Sequence, residues 1–329
     1  MSRIRYAGFG KETTFGTAAD ATLHVDIASA SLDAPSGSII EYQGGLSRGR
    51  RYSKKGFYSP SGNVQFGFDV DTITEILAWT LGGYKFKGGA GNGSKNEHGV
   101  WADDSLIPTS FTTRIGKDVF EHVFTGCVVN SLTIDVDSEY CMATVDIVAS
   151  EDSSGNLKSA SELLLSELYP LAFHEVTVAS SNNSNFAARV KKLNLEISNS
   201  ASSDAGKRLG KINPVNIPFG RREINIDLDL FYEDTSELTK FWNKSDDTII
   251  ITFDGGTAGS IVMTFPKVVT TEISTQPSGV DEIIQSTTLH AYIEEVARPL
   301  GTDATDKIST EMTVLLTNSA PEVQVSSTS

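Results

Sequence analysis

The chain has 329 residues, with 27 Lys and Arg against 42 Asp and Glu, for a formal net charge of -15. That balance argues against a generally nucleic-acid-binding surface, which needs cations to displace counterions from phosphate. Hydrophobic residues at 39% and charged residues at 21% are ordinary globular composition, and the length suits about two domains.

No run of about 18 apolar residues is present, so no membrane span is expected. The opening MSRIRYAGFGKETTFG lacks the apolar stretch of a signal peptide. Synthesis in the cytoplasm without export by that route is the expectation. Two cysteines, Cys127 and Cys141, are too few for a disulfide framework and read as small buried apolar residues.

In chain order, the first distinctive stretch is the basic loop Leu46–Tyr58, holding Arg48, Arg50, Arg51, Lys54 and Lys55 among several glycines. Val64–Val70 then alternates apolar and polar residues with period two, which predicts a strand with one buried face. Asp71–Leu81 predicts a helix, with Thr72 and Glu75 as a capping box and Ile73, Ile76 and Leu77 as its apolar stripe. Lys85–Pro108, with GGAGNGSKNEHG, reads as a long exposed insertion. Leu132–Val136 and Ala143–Val148 predict further strands, and Glu151–Leu168 reads as a linker ending in a helical turn.

The second half runs similarly. Leu193–Ile197 alternates, Lys207, Arg208, Lys211, Arg221 and Arg222 form a second basic loop, and Ile224–Leu230 alternates again. Asp234–Trp242 predicts a helix with Asp234 and Glu237 at capping spacing. Thr264–Val269 and Thr287–Tyr292 follow as strands. Leu300–Ser329 is polar, reads as an arm or tail, and offers only a short edge strand at Thr313–Leu316.

Basic loop, alternating strand and Asp-Thr helix ending in a Trp thus recur in the same order. The expected architecture is mainly β: two tandem similar β-sandwich or barrel units, each with one α-helix. The first unit spans 1–150 (with loop 36–62 and insertion 85–108), the linker 151–167, the second unit 168–297 and the terminal arm 298–329.

Chemistry-bearing motifs are sparse. None of His24, His98, His122, His174 and His290 lies three or four residues from another, and Gly88–Lys95 lacks the Gly-Lys-Ser/Thr and helix of a phosphate loop. Asp227 and Asp229 share a strand face about 7 Å apart, which a solvated face explains more simply than a glycosidase pair does. No catalytic, cofactor-binding or metal-binding residue is assigned. The basic loop has three readings: a DNA contact, a solvated loop, or a self-assembly loop that docks on an acidic copy of the same chain. The apparent doubling favours the last.

The ordered set Gly10–Ala18, Arg48–Arg51, Gly62–Leu81, Phe124–Leu132, Tyr169-Pro170, Phe219–Asn243, Phe265–Val269 and Gln276–Gly279 resembles the tail tube (major tail) proteins of long-tailed bacteriophages. The resemblance implies stacked rings of six units around a channel for genome delivery, here a trimeric pseudo-hexamer built from doubled chains. It also implies a virion location after synthesis in the host cytoplasm. The partners it implies are other copies of the chain, a tape measure protein, and tail terminator and tail tip proteins. Double-stranded DNA would pass without specific binding, and neither a membrane nor a cofactor is involved.

On that basis Arg48, Arg50, Arg51, Lys54, Lys55, Arg221 and Arg222 are candidate assembly cations. Asp69, Asp135, Asp137, Glu196, Asp227 and Asp229 are candidate lumen-lining residues. Two rivals stand beside this reading: a capsid decoration or receptor-binding β-module, and a carbohydrate-active β-fold enzyme.

Overall fold

The computed structural model describes residues 5–34, 39–42, 49–50, 52–89, 95–104, 107–275, 282–301 and 305–325. Strand makes up 50% of the chain, so the mainly β expectation holds.

Strands β1 (Tyr6–Lys11), β2 (Leu23–Asp26) and β3 (Ser29–Ala30) come first, and β4 (Ile39–Tyr42) pairs with β5 (Tyr52–Lys55) as a separate hairpin. Next are β6 (Ser61–Gly67), α1 (Ile73–Leu81), β7 (Gly82–Lys87), β8 (Asn96–Ala102), β9 (Phe111–Gly116), β10 (Glu121–Val136), β11 (Met142–Val148) and β12 (Glu151–Gly155). The second half holds β13 (Val176–Ser180), the short α2 (Phe186–Arg189), β14 (Val190–Ser198), β15 (Glu223–Phe231), α3 (Ser236–Asn243), β16 (Asp247–Asp254), β17 (Ser260–Thr275) and β18 (Ile284–Ala291). A small pair, β19 (Glu294–Ala297) with β20 (Lys307–Thr310), precedes β21 (Thr313–Asn318).

The main antiparallel sheet has the order β3–β6–β11–β10–β14–β15–β18–β17. Its first four strands come from the first half and its last four from the second. Each half contains a strand pair, a helix, a long strand and its antiparallel return, β3, β6, α1, β10 and β11 in the first and β14, β15, α3, β17 and β18 in the second; β7, β8 and β9 intervene before the long strand in the first half and β16 in the second. The halves meet where β10 pairs with β14 from Ser131↔Ser198 to Val136↔Leu193.

A second layer has the order β7–β8–β21–β17–β16–β13. Long strands β10 and β17 each run from one layer into another. At the β10 crossing a bulge separates Phe124 from Cys127. Gly126 sits there at φ +61°, where a Cβ would meet Ser150 Cβ at 2.7 Å. Only glycine takes that turn without strain. The N-terminal part of β10 joins a sheet peculiar to the first half, β2–β1–β9–β10–β12.

One continuous hydrophobic cluster runs through both halves, from Phe9 and Phe66 to Phe253 and Met263. Phe68 and Phe253 meet edge to face across the join at 5.6 Å. Burying each such side chain stabilises the fold by roughly 1.5–3 kcal/mol.

Three expectations need correction. Lys85–Pro108 is no loose insertion: β7 and β8 form a hairpin with Val100 and Ala102 fully buried, equivalent in place to β16 and the start of β17. The C-terminal segment is not an edge strand, because β21 lies between β8 and β17 and pairs with both, burying Val314 and Leu316. Glu151–Gly155 of the expected linker pairs with β10, leaving a single 3-10 turn at Ala160–Glu162. The short GGAGNG stretch hid the first pairing. The polarity of alternate residues in β21 hid the second.

Candidate assembly surfaces

The outer face of the main sheet is polar because period-two alternation puts every second residue outward. One cross-strand row runs Ser29, Gln65, Thr144, Thr133, Glu196, Asn225, His290. The next runs Gly67, Met142, Asp135, Asn194, Asp227, Thr288, Glu272. Asp135, Glu196, Asp227 and Asp229 therefore share one face, as the alternation predicted.

Local partners hold the carboxylates in place. Asp227 accepts the Thr288 hydroxyl at 2.6 Å and Asp229 the Ser286 hydroxyl at 2.6 Å. Asp137 lies just past the end of β10, where Lys192 Nζ reaches it at 3.6 Å and Asp135 at 3.8 Å.

Asp69 does not join this face. It is 6% exposed and caps α1: Oδ1 accepts the Asp71 and Thr72 backbone N–H groups at 2.8 and 3.0 Å, and Oδ2 the Thr72 hydroxyl at 2.6 Å. The carboxylate at the helix start satisfies donors that have no partner within the helix. The predicted Thr72–Glu75 box does not form. Glu75 instead takes the Thr22 hydroxyl at 3.0 Å, and its burial raises its pKa to about 6. Sequence reasoning also missed Asp146, Glu223 and Lys192 on this face, although the alternation that found Asp227 runs through each of their strands.

The basic residues separate into different environments. Arg48 and Arg51 lie outside the described residues. Arg50 pairs with Glu41 at 3.1 Å across the β4–β5 hairpin, and Lys54 and Lys55 are exposed. That hairpin also exposes Ile39, Ile40, Tyr42 and Tyr52, each 59% or more. Arg221 is exposed and 3.9 Å from Glu223. Arg222 is an internal anchor rather than an available cation: it holds Glu311 at 2.7 Å and the Asp103 carbonyl at 2.6 Å.

The second basic loop, between β14 and β15, folds back onto the first half. Tyr58 N–H donates to the Ile212 carbonyl at 2.7 Å, and the Ser150 hydroxyl to the Pro214 carbonyl at 2.8 Å. Asn213 Nδ2 donates to the Ser150 carbonyl at 3.1 Å, and Lys207 lies 5.0 Å over the Phe57 ring. The loop between β3 and β6, which joins the same pair of strands in the first half, carries the projecting hairpin instead. A groove of about 850 Å³ lies beside β18, bounded by Arg221, Glu223, Lys267, His290, Tyr292 and Ile293.

Other polar clusters are structural in form. His122 Nε2 is 2.6 Å from Asp152 Oδ2, whose other oxygen takes the Tyr58 hydroxyl at 2.5 Å. Burial pushes the Cys127 and Cys141 thiols up to about 12, so neither is a ready nucleophile. Among the described residues no three His, Cys, Asp or Glu side chains converge as metal ligands would.

A family model for phage tail tube proteins matches residues 2–296. No curated protein matches the chain. The chain belongs to the phage tail tube protein family, and membership implies a structural role in the virion tail and multimeric assembly there.

Proposed function

We propose that this member of the phage tail tube family carries two tandem copies of one β unit and closes, as a trimer, into a pseudo-hexameric ring. Stacked rings would line the channel through which the genome is delivered. One observation carries the reading: β10 of the first half pairs with β14 of the second, joining four strands of the order β3–β6–β11–β10 to four of the like order β14–β15–β18–β17. The same step, repeated between chains, would set β17 of one copy against β3 of the next.

The free margins support this. Among the described residues, Glu272–Thr275 of β17 pair only with β18, and Ser29–Ala30 of β3 only with β6. Unpaired edges of this kind invite another strand, and closing a ring removes them. The acidic sheet face, turned toward the lumen, repels phosphate and lets DNA slide without a bound state. The C-terminal strand β21 would lock the two units of one chain together rather than reach another ring.

The partners follow from this placement: a tape measure protein inside the growing tube, terminator and tip proteins at its ends, and assembly in the host cytoplasm. Negative-stain microscopy of the purified chain is the test. Rings or tubes are expected, and monomers persisting across salt and concentration would sink the reading.

A further inference from the structure

The chain leaves the main sheet just after β3 and returns to it just before β6, and one cluster of side chains holds both roots of that excursion. Asp33 stands at the exit, where it bridges to Ser61 of β6, and Tyr58 stands at the return. Between them lies His122 of β10, 7% exposed and flanked by the Phe120 and Phe124 rings.

The partners of the His122 ring fix where its proton sits. Nδ1 is 3.1 Å from Lys117 Nζ, and an ammonium can only donate. Nδ1 is therefore the bare nitrogen, and Nε2–H donates to Asp152 Oδ2 at 2.6 Å. Asp152 Oδ1 takes the Tyr58 hydroxyl, and burial raises the Tyr58 pKa, so that group stays a donor. Every one of these contacts suits a neutral imidazole.

A second proton on the ring must go to Nδ1, and it sets an N–H against the donor-only Lys117. An acceptor stands beside it in Asp33 Oδ1, which is 3.6 Å from Nδ1 and 3.3 Å from Lys117 Nζ. The Ala34 N–H, ahead of Lys117, holds the Asp33 carboxyl below its ordinary value, so it is an anion throughout the range in which imidazoles titrate. Lys117 and Asp33 are both open enough to move, with side chains 31% and 65% exposed. The other charges nearby are engaged elsewhere. Asp118 pairs with Arg5 at 3.2 Å, Glu151 acts on Tyr58, and Lys207 lies over the Phe57 ring.

We propose that His122 is a proton-controlled clasp on the β3 root: when the ring gains its second proton, Asp33 leaves Lys117 for His122 Nδ1 and the exit of β3 is drawn against β10. Among the described residues β3 pairs with β6 through Ser29 and Ala30 alone, so one added ion pair is a large part of what holds that exit. His122 acts here through Asp33, as a positioning residue, and the clasp does not depend on the ring reading.

Hydrogen exchange on the unassembled full chain tests this. After correction for intrinsic rates, residues 29–34 are expected to gain about threefold protection between about pH 8 and about pH 5, the size of a part-exposed ion pair. General acid destabilisation moves protection the opposite way. Asp33→Asn, at an exposed site, and His122→Gln should each abolish the gain. Unchanged or falling protection in the unsubstituted chain, or a gain that survives Asp33→Asn, would overturn the proposal. Histidine-selective nitrogen NMR of the unsubstituted chain gives a second readout that needs no variant to fold. The neutral ring is expected to carry its proton on Nε2, and a proton on Nδ1 at about pH 8 would also overturn it.

Discussion

Helices α1 and α3 each follow an alternating strand of the main sheet, begin near an Asp-Thr pair and carry a Trp eight residues after that Asp, yet they live in different surroundings. Trp79 of α1 is 1% exposed; it stacks on Phe111 at 4.9 Å and donates Nε1–H to the Gln324 carbonyl at 3.0 Å. Trp242 of α3 is 68% exposed. The first half has its additional sheet, through β9, and the C-terminal segment laid over α1, whereas among the described residues neither lies over Trp242 of α3.

Underneath, the contrast runs the other way. Every α1 residue except Glu75 is buried, mostly in apolar company. Beneath α3 lies a charged cluster in which Lys240 Nζ reaches Asp247 at 2.6 Å and Glu237 at 3.1 Å, both carboxylates nearly inaccessible. Burial alone would raise the Asp247 pKa, but the hydrogen bonds from Lys240, Ser180 and Ser181 hold it below its ordinary value. The place of a helix in the connectivity thus does not dictate its burial; the elements laid over it do.

The largest effect should come from the two tryptophans. Trp79→Ala removes a fully buried aromatic and should cost about 3–5 kcal/mol in denaturant unfolding. Trp242→Ala in the unassembled chain should stay within about 0.5 kcal/mol, as expected of an exposed site. Equal losses would mean that α3 is covered in the monomer and that the contrast between the helices is false.

Next comes the cluster under α3. Lys240→Met leaves Glu237 and Asp247 buried without their cation, and should cost roughly 3 kcal/mol at neutral pH. Below the ordinary carboxylate range the loss should shrink, because the depressed Asp247 carboxyl contributes stability above its unfolded pKa and loses it as pH falls. No matching position exists in α1, so the same pH series on Trp79→Ala should be flat.

Much of this contrast was legible in the sequence and some was not. Alternation found the strands of the main sheet and the outward Asp135, Glu196, Asp227 and Asp229, because period two is a local property of the chain. It could not find the cover over α1, since Phe111 and Gln324 reach Trp79 from distant segments. Asp69 looked like an outward strand carboxylate because it continues the alternation of Val64–Val70. The chain turns into α1 just there, and the side chain swings back as a cap. Counting cations marked Arg222 as available, when Glu311 from the far C-terminal segment neutralises it.

Glu75, the one half-buried residue of α1, offers a smaller test. Its pKa is raised from 4.5 to about 6, so the folded state holds a proton that the unfolded state has lost between those values. Stability therefore falls as pH rises through that window, by up to about 2 kcal/mol. Glu75→Gln should raise stability at pH 7.5 and change little at pH 4. A variant that is destabilised at pH 7.5 would show that the carboxylate is better paired than its Thr22 contact implies.

The smallest change in free energy is expected on the sheet face, where the halves differ in charge at like positions. In the first half Asn63 accepts the Ser31 hydroxyl at 2.8 Å and Gln65 the Ser29 hydroxyl at 3.2 Å. In the second half the strand at the same place in the sheet order carries Asp227 and Asp229, also bonded to hydroxyls. Asp227→Asn with Asp229→Gln exchanges charge for neutral amides that can keep those bonds, so unfolding should shift by less than about 1 kcal/mol. Lysine at the same two positions should also permit assembly, because the side chains stand in solvent. Tubes of the lysine variant should then retain DNA fragments that the unsubstituted tubes exclude, and retention should fall steeply with added salt. If both tubes treat DNA alike, this face is turned outward and the channel is lined by something else.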